Sequence, residues 1–224
     1  MLIIFDLDDT LIDTSGSITP KVLENAFQAM QKVGLHVADS EEGLKQLLSI
    51  NAHSISSDAA LKEFLKNAKA PDACYHVGFK EIYERPSLPK IIRPVEGALE
   101  LLEQLADEHT LALVTKGNPE VQKEKMKKAS INENLFNYIF FCTHQNKKQF
   151  YQIISKKEKI APKNSLVCGD RICFDLTPAK ELGFKTVQIA KGRGTGNTGL
   201  KNDVDYTILH LRELNHILGK FKPK

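Results

Sequence analysis

Three acidic side chains fall within four positions near the N-terminus, in Asp6-Leu7-Asp8-Asp9-Thr10-Leu11. While a chain stays extended, residues at i and i+2 share a face, so Asp6 and Asp8 lie side by side. Like charges that close repel, and one would protonate unless a cation compensates. A hard divalent cation that takes oxygen ligands, such as Mg²⁺, does so. A second acidic cluster is Gly169-Asp170-Arg171-Ile172-Cys173-Phe174-Asp175. Between the clusters, Thr115 ends an apolar run with a hydroxyl, and Lys147 and Lys148 follow another apolar run. Carboxylates, a hydroxyl and a lysine are the parts of a metal-assisted phosphoryl transferase with a carboxylate nucleophile.

These groups must be brought to one place by the elements that precede them. Residues 2–5, Leu-Ile-Ile-Phe, read as a short, fully buried strand that ends at Asp6. Clustered carboxylates just past such a strand suit a site at the C-terminal edge of a parallel sheet. After Pro94 the pattern alternates. Val95–Leu105 reads as a helix, Thr110–Thr115 as a strand, and Asn118-Pro119 caps a helix to about Ala129. Tyr138–Cys142 reads as a strand, Phe150–Ile154 as helical, Ser165–Cys168 as a strand, Thr177–Leu182 as helical and Lys185–Ile189 as a strand. Leu209, Leu211, Leu214, Ile217 and Leu218 mark a last helix. Such alternation implies an α/β fold: a Rossmann-like parallel sheet with helices on both faces.

Residues 19–83 instead read as helical throughout. Thr19-Pro20 looks like an N-cap and first helical residue, and Val22, Leu23, Ala26, Phe27, Met30 and Val33 keep a helical period to Gly34. Ser40 and Ser57 are the expected caps of two further helices, and Pro71 opens a fourth toward Tyr83. A proline-rich return follows, Arg85–Pro94. The first strand alone has nothing to pack against, so it must join the later sheet. The expected organisation is a catalytic core of residues 1–13 and 91–224 with an inserted helical domain, residues 14–90.

In order along the chain, Asp6-x-Asp8-x-Thr10, the strand ending in Thr115, Lys147, and Gly169-Asp170 with Asp175 resemble the four motifs of the haloacid dehalogenase (HAD) superfamily. The ordered set spans nearly the whole chain, and the helical insertion resembles that family's C1 cap, which closes over substrate. The resemblance implies Asp6 as the nucleophile that forms an aspartyl-phosphate. It implies Asp8 as the acid for the leaving oxygen and then the base for water. It implies Mg²⁺ held by Asp6, the Asp8 backbone carbonyl and Asp170, with Asp175 supporting, and phosphoryl oxygens held by Thr115, Lys116, Gly117 and Lys147. Dehalogenating members lack an aspartate at the place of Asp8, so the resemblance favours a phosphatase acting on a small phosphorylated metabolite. Phosphomutases of the β-phosphoglucomutase type share the motifs, and a non-catalytic binding protein on the same fold is the reading from another class. Two positions depart from the family pattern. Asn146-Lys147-Lys148 stands where relatives often read Lys-Pro, leaving Lys147 or Lys148 as the third-motif lysine, and Lys116 stands where many have asparagine.

Composition narrows the remaining classes. The 224 residues are 42% hydrophobic and 26% charged, with 31 basic against 28 acidic side chains. That is the composition of a globular chain with enough length for a sizeable core. The charge balance lacks the basic stripe of a nucleic-acid binder, and no apolar run approaches the ~20 residues of a membrane span. Four cysteines without CxxC spacing argue against a disulfide framework. Cys142 and Cys168, set in apolar runs, read as buried thiols. With no signal-like h-region in the opening residues, the expected compartment is the cytoplasm. Gly192–Gly199 is glycine-rich but opens no helix, so it reads as a loop rather than a dinucleotide fingerprint. The histidines show no zinc-ligand spacing. Asp9 reads as a group near solvent, or one that supports the site without binding the metal, and Tyr75, His76 and Lys80 as surface residues of the inserted domain.

Overall fold

The structure is a computed structural model that describes residues 1–143, 146–192, 195 and 199–220. The chain divides into two compact units, Met1–Asp13 with Ile91–Lys224, and Thr14–Lys90.

The first unit is built on six parallel strands among the described residues: β1 (Leu2–Phe5), β2 (Thr110–Lys116), β3 (Tyr138–Cys142), β4 (Ser165–Gly169), β5 (Lys185–Ile189) and β6 (Tyr206–Ile208). Their order across the sheet is β3-β2-β1-β4-β5-β6. β1 lies in the middle, and the winding reverses beside it, between β1 and β4. In open α/β sheets the crevice at such a reversal, outside the carboxyl ends of the strands, is where ligands bind. Register aligns those ends: Phe5 pairs with Leu113 on one side and with Cys168 on the other. Asp6, Thr115 and Asp170 therefore leave the sheet within about two residues of one another.

The central strand β1 is apolar at every position because both of its faces are covered. Leu2 and Ile4 join Val114, Val167, Tyr151, Ile154 and Phe184 in one buried cluster, and Ile3 and Phe5, equally buried, point to the other face. The crossover helices are α6 (Ala98–Ala106), α7 (Pro119–Lys128), α8 (Lys147–Glu158) and α9 (Thr177–Lys180), with α10 (Glu213–Gly219) last; the numbers α1 to α5 belong to the other unit. A π-helical turn, Ile172–Leu176, leads into α9. The two ends of the core at the point of insertion are tied together. Asp13 N donates to Arg93 O (2.9 Å), Val95 N donates to Leu11 O (2.9 Å), and Arg93 pairs with the Asp13 carboxylate at 2.9 Å. The core thus closes on itself, and the intervening residues need no part in it.

The second unit holds α1 (Thr14–Ser17), α2 (Thr19–Gln31), α3 (Ser40–His53), α4 (Ser57–Asn67) and α5 (Asp72–Phe79), followed by a π-helical turn, Lys80–Glu84. Its own core is Leu23, Phe27, Met30, Leu35, Leu47, Leu61, Phe64, Leu65 and Cys74. The Phe27 and Phe64 rings meet at 6.0 Å between centroids.

Local details differ from the sequence reading. Thr19 is not an N-cap: it is the first residue of α2, and Ile18 before it is already helical, its N–H bonded to Thr14 O, so α1 runs almost directly into α2. The caps of α3 and α4 are Asp39 and Ser56, each one residue earlier than expected. Both are extended residues whose side chains accept from the amide three positions on, Glu42 N and Ala59 N. Strand β6 lacks a sequence signal, and Leu209 and Leu211 precede α10 rather than lie on it. Cys142 and Cys168 are buried, as is Cys74, whereas Cys173 is exposed. Part of the Gly192–Gly199 loop and residues 221–224 of the basic tail lie outside the described residues. Among the described residues no helix is long and apolar enough to cross a membrane.

Candidate active site

Asp6 continues directly from β1, where its amide donates to Cys168 O (3.0 Å), so its side chain stands at the centre of the sheet edge. It is only 4% exposed. Lys147, the first residue of α8, reaches it across the edge, with Nζ 2.6 Å from Asp6 Oδ1 and also 2.6 Å from Asp175 Oδ1. α8 is set in place by Asn146, whose side chain accepts from Lys148 N. The neighbouring Lys148 turns away and pairs with Glu181 at the surface. Adjacent helical residues point about 100° apart, so only one of the two lysines can face the sheet edge. The structure directs Lys147 there.

Asp170 follows β4, and Asp175 lies in the π-helical turn beyond it. The turn folds back so that Arg171 N donates to Asp175 Oδ2 (3.0 Å). Gly169 makes this approach possible, because a Cβ there would lie 2.6 Å from Asp175 Cβ. Gln188 Nε2 holds the Asp170 carbonyl at 3.2 Å. One oxygen from each of Asp6, Asp170 and Asp175 falls within a 4.8 Å cluster, all three residues buried.

This cluster is electrostatically incomplete. Burial, with the neighbouring Asp175 and Asp8 charges, pushes Asp6 up to about 6 despite Lys147. Burial and the Asp175 charge hold Asp170 well above the ordinary carboxylate range, although Arg171 acts the other way. Burial alone would depress the Lys147 ammonium, but Asp175 and Asp6 more than offset it and hold it well above its usual value. Among the described residues, the buried Asp170 Oδ1 has no hydrogen-bond partner; Arg171 Nε comes only to 3.9 Å. Converging buried carboxylate oxygens, one of them orphaned, fit a hard divalent cation.

Asp8 sits two residues beyond Asp6, with its carboxylate directed at helix α7. Lys125 Nζ is 2.8 Å from Oδ1, and Gln122 Nε2 is 2.9 Å from Oδ2. The same Gln122 nitrogen is 2.7 Å from Oγ1 of the buried Thr115. Gly117, at φ +154, leaves room for the Gln122 side chain, which lies 3.0 Å from where a Cβ would stand. Lys116 is exposed at the end of β2, with its ammonium 5.4 Å above the Phe174 ring; the Arg171 guanidinium lies 4.6 Å from the same ring. Asp9 is buried rather than near solvent and is left-handed (φ +55), with Gly192 packed against its carboxylate, and it stands outside the Asp6–Asp170–Asp175 cluster. Tyr75, in the other unit, donates to Asp58 at 2.8 Å.

The structure thus brings Asp6, Lys147, Asp170 and Asp175 into direct contact range and links Asp8 to Thr115 through Gln122. Gln122, Lys125 and Arg171 escape the sequence reading. The first two occupy i and i+3 of a helix whose composition looks solvated, and only their spacing after the Asn118-Pro119 cap hints at a shared face.

The chain is similar to known proteins over nearly its whole length. The chain is 28% identical to a glyceraldehyde 3-phosphate phosphatase of Pyrococcus furiosus, over 98% of this chain and 93% of that protein. It is 29% identical to a protein of the same name from Methanocaldococcus jannaschii, over 98% and 97% of the two chains. Among solved structures, YfnB from Bacillus subtilis, bound to magnesium, superposes with a TM-score of 0.71 at 18% identity, over 97% of each chain. The sequence profile of the haloacid dehalogenase-like hydrolases matches residues 3–189, the span that carries Asp6, Asp8, Thr115, Lys147, Asp170 and Asp175, and the chain belongs to that family.

Proposed function

We propose that this phosphoric monoester hydrolase works through an aspartyl-phosphate on Asp6, with Mg²⁺ as its cofactor and a small phosphorylated metabolite as its substrate. The observation that carries the reading is the Asp6–Lys147 contact of 2.6 Å inside a cluster of buried carboxylates. An ammonium and a divalent cation beside Asp6 keep it ionised, which a nucleophile requires. Asp6, Asp170 and the Asp8 carbonyl would hold Mg²⁺, with Asp175 supporting; when bound, the ion neutralises charge on the transferring phosphoryl group.

An oxygen of Asp6 attacks phosphorus as the bond from phosphorus to the ester oxygen breaks. Asp8 gives that oxygen a proton, so the alcohol leaves neutral. Asp8, now ionised, takes a proton from water as the water attacks the phosphorylated Asp6. Inorganic phosphate departs and Asp6 is restored. The Thr115 hydroxyl, Lys116 and Lys147 are assigned to the phosphoryl oxygens, where fixed donors stabilise the charge that develops; the Gly117 amide is already engaged, donating to Cys142 O at 3.0 Å. The helical unit, residues 14–90, is read as the cap that selects substrates.

Glyceraldehyde 3-phosphate is the first substrate to test, because the relatives from P. furiosus and M. jannaschii carry that name. The experiment measures phosphate release from it and from 4-nitrophenyl phosphate, with Mg²⁺ or with a chelator. Release should require the ion, and Asp6→Asn should abolish it while the protein stays folded. Near-wild-type turnover by a folded Asp6→Asn variant would refute the nucleophile assignment.

A further inference from the structure

We propose that Gln122 and Lys125 are positioning residues that clamp the Asp8 carboxylate by its two oxygens, and that Gln122 also turns the Thr115 hydroxyl into a donor for the phosphoryl group. The inference rests on the acid–base reading of Asp8 given above and goes beyond it, to the question of what holds that acid in place.

Asp8 lies outside the strand, in a turn followed by the left-handed Asp9, so the sheet does not fix its side chain. The clamp comes from a rigid element instead. Asn118 caps α7 by accepting from Glu120 N (2.9 Å), and Pro119 sets its first turn. Three residues apart, Gln122 and Lys125 then project from one face. Lys125 Nζ takes Oδ1 at 2.8 Å and Gln122 Nε2 takes Oδ2 at 2.9 Å. An ionised carboxylate offers about four acceptor directions, so two clamping bonds are compatible with a proton passing to or from the same group.

The amide's orientation follows from chemistry. A carboxylate only accepts, so the nitrogen of Gln122 must face Asp8. The second hydrogen on that nitrogen goes to Thr115 Oγ1, 2.7 Å away. Having accepted there, the Thr115 hydroxyl must send its single hydrogen to a different acceptor, and a phosphoryl oxygen is the one the reaction supplies. One buried amide, 1% exposed, thus fixes the acid and the phosphate-binding hydroxyl together. Gly117 belongs to the same device. With φ at +154 and the Gln122 amide group 3.0 Å from a built Cβ, a larger residue would displace the clamp.

The test compares 4-nitrophenyl phosphate with phenyl phosphate, which have nearly the same shape but leaving oxygens of different basicity. Only the more basic phenolate depends strongly on a proton from Asp8. kcat/KM is the quantity to read, since it covers the steps through departure of the alcohol. General acid catalysis contributes roughly 10²–10⁴-fold. Gln122→Met and Lys125→Met should therefore each lower kcat/KM on phenyl phosphate about tenfold more than on 4-nitrophenyl phosphate. Lys125→Arg should recover most of the loss. Gln122→Met should also raise KM on both esters through Thr115, whereas Lys125→Met should leave KM near wild type. Lys125 is partly exposed, so Lys125→Met keeps the test available if the buried Gln122 does not tolerate change. Asp8→Asn is the reference. If Asp8→Asn discriminates between the esters and the clamp variants lose equally on both, the clamp is wrong and the acid reading stands. If Asp8→Asn itself shows no discrimination, the acid reading falls and the clamp with it.

Discussion

Lys147 Nζ lies 2.6 Å from Asp6 Oδ1, and each side chain is 4% exposed. A pair so far from water depends on both partners, because removing one leaves an uncompensated buried charge. Here the same ammonium also serves Asp175, so its loss strands two carboxylates.

Lys147→Met should therefore destabilise the metal-free protein by about 3–5 kcal/mol and remove nearly all phosphatase activity. Lys148→Met breaks only the surface pair with Glu181 and should cost at most about 1 kcal/mol, with activity retained. Urea denaturation and phosphate release on the two variants check this. Equal, small effects from both would mean that the third-motif lysine is wrongly placed.

Asp170→Asn should move stability in opposite directions with and without the ion. Without Mg²⁺ it removes one buried charge from a crowded set, so the unfolding midpoint should rise or stay level. With Mg²⁺ the wild type gains about 2.7 kcal/mol at an ion concentration a hundred times Kd, and the variant should gain much less. Thermal unfolding across a Mg²⁺ series reads both effects. An unchanged Mg²⁺-dependent gain in Asp170→Asn would remove Asp170 from the ion's ligands.

Asp205 gives a pH-dependent test away from the chemistry. Burial opposes its ionisation, but the Lys180 ammonium at 2.6 Å and the Thr186 amide at 3.0 Å outweigh this and hold its carboxyl below the usual range. A carboxylate depressed in the folded state stabilises above the unfolded-state pKa, and that stabilisation is lost as pH falls through the folded-state pKa. Asp205→Asn should cost about 1–3 kcal/mol at neutral pH. The gap from wild type should close below about pH 4, as the wild-type carboxyl protonates. Urea denaturation at a series of pH values measures it, and a gap independent of pH would exclude the charged role.

The longer elements were legible because their signals are local. β1 to β4 announce themselves as mainly apolar runs, whereas β5, Lys-Thr-Val-Gln-Ile, shows itself only by β-branched and alternating apolar residues. β6 was not legible. It is three residues long at the edge of the sheet, with Thr207 exposed, and so carries too little burial to mark the sequence. Cap positions slipped by one residue at Asp39 and Ser56, because either of two adjacent polar residues can cap and the backbone angles decide which one does.

At the site the division falls between residue type and direction. Asp6, Asp8, Thr115, Asp170 and Asp175 could be named from sequence because each stands at the end of a strand, just past it or one turn beyond, and strand ends in a parallel sheet share an edge. Which lysine joins them could not, because Lys147 and Lys148 differ only in the direction each leaves α8. The partners of Asp8 were hidden for the same reason. Gln122 and Lys125 look like members of a solvated helix until α7 is laid against the sheet edge, and only that packing turns them inward. The amino-acid order by itself thus determined the strands and the acids that end them. The tertiary structure decided the cations and amides that hold those acids, because pairing over a hundred residues apart depends on where helices settle on the sheet.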